Sequence, residues 1–149
     1  MRRVFSTRQN KHMADASKKI LVIEDDREAA NLFAEELTDR GYEVSVAYNG
    51  LEGYSAILEI TPDLVLSDLM MPVMSGFDVL ERLTTAAPCF RDTPFVFLTG
   101  LSDRDIQLKA RQLGADDLVT KPIDFDVLDT IISACLAAGA TRATQWPNR

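Results

Sequence analysis

The sequence predicts a doubly wound α/β fold, in which helices cover both faces of a parallel sheet. Short runs rich in Ile, Leu, Val and Phe recur at residues 20–23, 64–66 and 95–98, each bounded by polar or turn residues. Segments with helical spacing separate them, so strand and helix alternate through the whole body. Strands joined by helical crossovers must run parallel, with right-handed connections, and that places helices on both faces.

The elements follow in order. The strand at 20–23 leads into a helix at 27–40, where Ala30, Phe33, Ala34 and Leu37 share one face and Gly41 supplies the stop. Residues 44–47 make a weaker strand, flanked by charge and suited to a sheet edge, before a helix at 50–60. The strand at 64–66 precedes a helix at 77–85, and that at 95–98 precedes a helix at 103–113 with Gly114 behind it. A last short strand at 118–119, again an edge candidate, feeds a helix at 124–138. Either Asp25 or Asp26 is placed to cap the first helix, with Asp25 and Glu28 at capping-box spacing, and Ser102 with Asp105 offers the same for the fourth. Residues 18–140 are expected to form one domain, after a basic flexible leader at 1–17 and before a flexible tail at 141–149. Met13 is an alternative start, since the chain from there opens directly into the first strand.

Composition removes several function classes. Residues 1–19 carry six Lys/Arg against one Asp, so the overall charge of −7 leaves about −12 on the remainder. An acidic body repels nucleic acid, and no direct nucleic-acid partner is expected. No apolar run approaches the roughly 20 residues that span a bilayer, and the leader lacks the apolar core of a secretory signal, so no membrane association is expected. Cys89 and Cys135 form no CxxC pair and no Cys/His cluster, which fits a reducing cytoplasm and disfavours a disulfide framework or a zinc site. The only histidine, His12, lies in the leader, so the body holds no Ser/His or Cys/His catalytic pair.

In open α/β sheets ligands bind at the carboxyl ends of the strands. The first strand is followed by Glu24, Asp25 and Asp26, the third by Asp68, the fourth by Thr99 and Gly100, and the fifth by Thr120 and Lys121. All four sets fall on one rim. Three carboxylates crowded there demand a cation, and an oxygen-only donor set without His or Cys suits magnesium better than zinc, or than a calcium ion needing six or more oxygens. Lys121 and the Thr99 hydroxyl add positive charge and a donor to the same rim, so the site can hold a phosphoryl group. Asp68 then becomes a plausible nucleophile, since a carboxylate accepts a phosphoryl group as an acyl phosphate without a separate general base. Taken alone, Thr99 is more often a turn or cap residue and Lys121 more often a solvated cation.

The runs ILVIEDD at 20–26, LVLSDLMMPVMSG at 64–76, FLTG at 97–100 and GADDLVTKP at 114–122 resemble, as an ordered set, the response-regulator receiver family. That resemblance implies a flavodoxin-like (βα)5 fold with strand order 2-1-3-4-5. It implies that Asp68 is the phosphoacceptor, and that Asp25, Asp68 and the Met70 carbonyl bind Mg2+, with Glu24 assisting through water, while Asp26, which follows the acidic pair, is better placed to start the first helix. Lys121, the Thr99 hydroxyl and the amides of Met70 and Gly100 would contact the phosphoryl oxygens, and the Lys121–Pro122 peptide would be cis. The phosphodonor would be a sensor histidine kinase or a histidine phosphotransfer protein, and the chain itself no enzyme beyond its own phosphoryl transfer and slow autodephosphorylation.

Three departures qualify this reading. Leu118 stands where the family usually has Tyr or Phe, so the switch formed by Thr99 and residue 118 lacks its aromatic, and the 99–105 loop becomes the expected route of the signal. Met70 and Leu101 flank the site and are apolar, so neither orients a hydrolytic water, and the phosphoryl state is expected to be long-lived. The last helix has no Lys or Arg, which leaves a monomer or a phosphorylation-dependent homodimer as the alternatives. The rival from another class is a pseudo-receiver that binds partners without phosphorylation, against which the full set of Glu24, Asp25, Asp68, Thr99 and Lys121 argues. An aspartate-nucleophile phosphatase would need a second Asp where Met70 stands, and nicotinamide binding would need GxGxxG.

Overall fold

A computed structural model of the chain describes residues 17–101 and 103–138. The expected leader up to residue 16, the tail at 141–149 and the cap residue Ser102 lie outside the described residues. Ten elements alternate: β1 (Lys19–Ile23), α1 (Arg27–Asp39), β2 (Glu43–Ala47), α2 (Gly50–Ile60), β3 (Leu64–Asp68), α3 (Gly76–Ala86), β4 (Phe95–Thr99), α4 (Arg104–Gln112), β5 (Asp117–Thr120) and α5 (Phe125–Ala138), with a 3-10 turn at Pro88–Phe90 before β4. The sheet order is β2-β1-β3-β4-β5, all parallel, as the resemblance implied, and the two weaker strands occupy the edges.

The sheet separates two apolar layers because successive strand side chains point to opposite faces. Leu21, Ile23, Val65, Phe95 and Phe97 pack with Ile57, Val79, Leu80, Leu83 and Ala110 of α2, α3 and α4. Ile20, Val22, Leu64, Leu66, Val96 and Leu98 pack with Phe33, Leu37, Leu128, Ile132 and Cys135 of α1 and α5. The three central strands are buried on both sides, which is why they read as continuous apolar runs. Burial pushes the Cys135 thiol up to about 12, with Asp116 and Asp117 adding to the shift, so it remains a protonated core side chain.

Helix ends follow local chemistry. Asp26, rather than Asp25, caps α1 by accepting from the amides of Glu28 and Ala29 at 3.0 and 3.3 Å. Asp103 caps α4 through the Ile106 amide at 2.9 Å, the task expected of Ser102. Gly41, at φ 100, closes α1: its amide reaches the Thr38 carbonyl and that of Tyr42 reaches Leu37. On either side of that stop, Arg40 binds Glu36 at 2.7 Å and Asp126 at 2.8 Å, and the Tyr42 hydroxyl donates to Asp129 at 2.6 Å, fastening α1 to α5.

Candidate functional site

Parallel strands bring their carboxyl ends to one rim, where Asp68 and Thr99 are the last paired residues of β3 and β4 and Glu24 and Lys121 lie just past the pairing of β1 and β5. The Glu24 amide donates to the Ala47 carbonyl, that of Leu69 to Leu98, and that of Lys121 to Thr99, at 3.0, 2.9 and 2.8 Å. The backbone thus sets Glu24, Asp68, Thr99 and Lys121 side by side across three neighbouring strand gaps.

The acids and the lysine converge. Carboxylate oxygens of Glu24, Asp25 and Asp68 lie within 4.8 Å of one another. Lys121 Nζ stands 3.3 Å from Glu24 Oε1 and 3.5 Å from Asp68 Oδ1. Glu24 is 1% exposed, and burial raises its pKa to about 7; the Asp26 amide bonded to it and the Lys121 charge lower it, while the Asp68 charge raises it. Burial pulls the Lys121 ammonium down, but the charges of Asp68 and Glu24 outweigh that and hold it above its ordinary value. A buried acid that resists ionisation and two further carboxylates, with no nitrogen or sulfur ligand beside them among the described residues, make a donor set that fits a hard divalent cation. Asp26 is outside this group, occupied as the α1 cap.

Thr99 is fully buried, and its Oγ1 accepts from the Leu101 amide at 2.9 Å. Gly100 is exposed, with open space where a Cβ would stand. Met70 and Leu101 are 60% and 48% exposed at the mouth of the site. Leu118 is half-buried against the core layer that includes Ile106 and Leu113 of the α4 side. The Lys121–Pro122 peptide is cis.

The loop leaving Asp68 holds features that periodicity does not reveal. Ser67 Oγ donates to the Asp68 carbonyl at 2.9 Å, and the Gly76 amide returns to the Leu69 carbonyl at 2.9 Å. Within it the Met74 amide donates to the Pro72 carbonyl at 2.7 Å, and Val73 between them has φ 71. This is a γ-turn of the strained hand, centred on a β-branched residue. Val73 is fully exposed, so its side chain gains nothing from burial in return. Val73→Gly is therefore expected to raise stability by about 1 kcal/mol, because relief of the left-handed valine exceeds the entropy that glycine adds to the unfolded chain. A higher urea midpoint at unchanged slope is the measurement, and an unchanged or lower midpoint contradicts it.

Comparison with known proteins identifies the family and the fold. The model of a family described as the response regulator receiver domain matches residues 20–133. Among curated proteins, the transcriptional regulatory protein DltR of Streptococcus agalactiae is 40% identical over 110 residues, which cover 74% of this chain and 48% of DltR. CusR of Escherichia coli, also a transcriptional regulatory protein, is 33% identical over 122 residues, covering 82% of this chain and 52% of CusR. The chain thus spans about half the length of these relatives. Among solved structures, the chemotaxis response regulator CheY4 of Vibrio cholerae superposes with a TM-score of 0.75 at 26% identity, over 80% of this chain and 99% of that one. No described helix is long and apolar enough to cross a membrane.

Proposed function

The chain belongs to the response regulator receiver family, and on that premise we propose that it is a phosphorylation-switched signalling module whose Asp68 accepts a phosphoryl group from a sensor histidine kinase or a histidine phosphotransfer protein. The observation that carries this reading is the placement of Lys121 Nζ between Glu24 and Asp68, at 3.3 and 3.5 Å, on the rim where Thr99 also ends its strand. An Asp68 carboxylate oxygen attacks the phosphorus in line, the bond from phosphorus to the donor imidazole nitrogen breaks, and an acyl phosphate forms. Lys121 neutralises the incoming negative charge, and the Thr99 hydroxyl and the amides of Met70 and Gly100 donate to phosphoryl oxygens. Asp25, Asp68 and the Met70 carbonyl would hold Mg2+, with Glu24 acting through water. The ion supplies charge neutralisation for the transferring group.

Thr99 Oγ1 accepts from the Leu101 amide, so a hydroxyl drawn to the phosphoryl group alters the conformation of the 99–105 loop. With Leu118 non-aromatic and packed into the core, that loop is the readout, and it presents Leu101 to a partner. The module acts in the cytoplasm, has no substrate besides its own phosphoryl group, and works as a monomer or as a homodimer formed on phosphorylation.

The test is to incubate wild type and Asp68→Asn with acetyl phosphate, with and without magnesium, and weigh the intact protein. Wild type gains the mass of one phosphoryl group only with magnesium, and the variant gains none. Labelling that survives the substitution removes Asp68 from its role. The same assay followed over time checks the lifetime: with apolar Met70 and Leu101 at the mouth, the label is expected to persist for many minutes after donor removal, and its loss within seconds contradicts this.

A further inference from the structure

We propose that the outward face of α2 is the docking site for the basic N-terminal segment of this same chain, residues 1–16. The inner face of α2 is committed to the fold: Ile57 is fully buried, a Cβ at Gly53 would meet Ile23, and one at Gly50 would stand 2.5 Å from the Met74 carbonyl. The outer face is different. Leu51 and Leu58 are 60% and 44% exposed and, seven residues apart, lie on one stripe with Ser55 between them. A shallow depression of about 580 Å³ on the Leu51 side of that stripe is lined by Asn49, Leu51, Glu52, Ser55, Ala56 and Glu59. Between Gly50 and Ile60 there is no Lys or Arg; Glu52 and Glu59 border the stripe on one side, while Tyr54, with the Arg82 guanidinium 5.0 Å over its ring, borders it on the other.

Residues 1–16 have the complementary chemistry. Arg2, Arg3, Arg8 and Lys11 stand against a single acid, Asp15, and the apolar pair Val4–Phe5 lies between the arginines. An apolar anchor flanked by cations fits an apolar stripe whose open side is lined by the carboxylates of Glu52 and Glu59. A segment of this length extends up to about 50 Å, enough to reach any face of a domain this size. A second copy of α2 is the weaker occupant, because it would oppose acid to acid. Since α2 starts at Gly50, against Met74, docking sets the basic segment beside the loop that leaves Asp68.

Amide hydrogen exchange on full-length variants at low salt tests the proposal. Reversing the segment (Arg2→Glu, Arg3→Glu, Arg8→Glu) is expected to speed exchange in α2 by roughly threefold or more while leaving α4 unchanged. Ser55→Lys with Glu59→Lys, which leaves the Asn49 cap intact, is expected to do the same although lysine favours helix. Combining both sets restores the slow exchange. Exchange in α2 that ignores either set of substitutions, or a combination that fails to restore it, overturns the proposal. Protection that grows with protein concentration alongside a doubled mass in sedimentation overturns it in favour of a second copy.

Discussion

Lys121→Met is expected to slow phosphoryl uptake from acetyl phosphate at least about a hundredfold, the usual consequence of removing one fixed charge from a site where negative charge develops. Methionine keeps the length and the apolar stem, so the loss isolates the ammonium that stands 3.3 Å from Glu24 and 3.5 Å from Asp68. The rate of mass gain measures it, and a variant labelled within tenfold of wild type refutes the role given to Lys121. The substitution also leaves two buried carboxylates without their cation. In metal-free buffer that costs about 2 kcal/mol, a figure reduced from the fully buried case because a third of the Lys121 side chain is exposed.

The pH dependence of that cost follows from the two shifts. The Lys121 pKa is raised in the fold, so its contribution is complete at all pH values below the ordinary lysine range and is lost only above it. Glu24 is raised to about 7, so the fold favours its protonated form: stability is greatest below the ordinary glutamate value and declines as pH rises through about 7. Below that range Glu24 carries a proton and asks less of Lys121. The difference between wild type and Lys121→Met should therefore be smaller at pH 5 than at pH 8 in the presence of a chelator, as read from urea midpoints. A difference that grows toward acid contradicts this assignment.

The parts legible in the sequence were those set by one-dimensional patterns. Central strands declared themselves because both of their faces are buried, and the acids and Lys121 because each follows an apolar run on the same rim. The strands extend further than the apolar runs, since Asp68 and Thr99 pair with Leu98 and Thr120 as ladder members despite their polarity. Asp26 as the cap was legible once the resemblance set Glu24 and Asp25 apart as the acidic pair, and its bonds from the Glu28 and Ala29 amides bear that out. By contrast, the bond from the Leu101 amide to Thr99 Oγ1, the left-handed Val73 and the fastening of Arg40 to Asp126 across 86 positions depend on chain geometry that no local period encodes.

Gly76 is the clearest case of a residue whose importance only packing reveals, and Gly76→Ala is expected to destabilise the protein by about 3 kcal/mol, lowering the thermal midpoint by roughly 10 °C. It opens α3 just after the Ser75 cap, at a position that ordinarily accepts alanine. A Cβ there would stand 2.5 Å from the Asp68 carbonyl oxygen, 3.0 Å from Phe97 Cε1 and 3.2 Å from Leu69 Cα. Two of these obstacles are backbone. The third is a fully buried ring held edge-on between Phe77 and Phe95, each 5.2 Å away, and has nowhere to turn. The strain must instead push α3 away from β3, stretching the bond from the Gly76 amide to the Leu69 carbonyl and displacing Asp68 from Lys121. Phosphoryl uptake should therefore fall together with stability. Gly100→Ala, with open space around the new methyl, is the control and should move the midpoint by no more than about 0.5 kcal/mol equivalent. If the two substitutions prove equally mild, the contact between Gly76 and the Asp68 carbonyl does not constrain the loop.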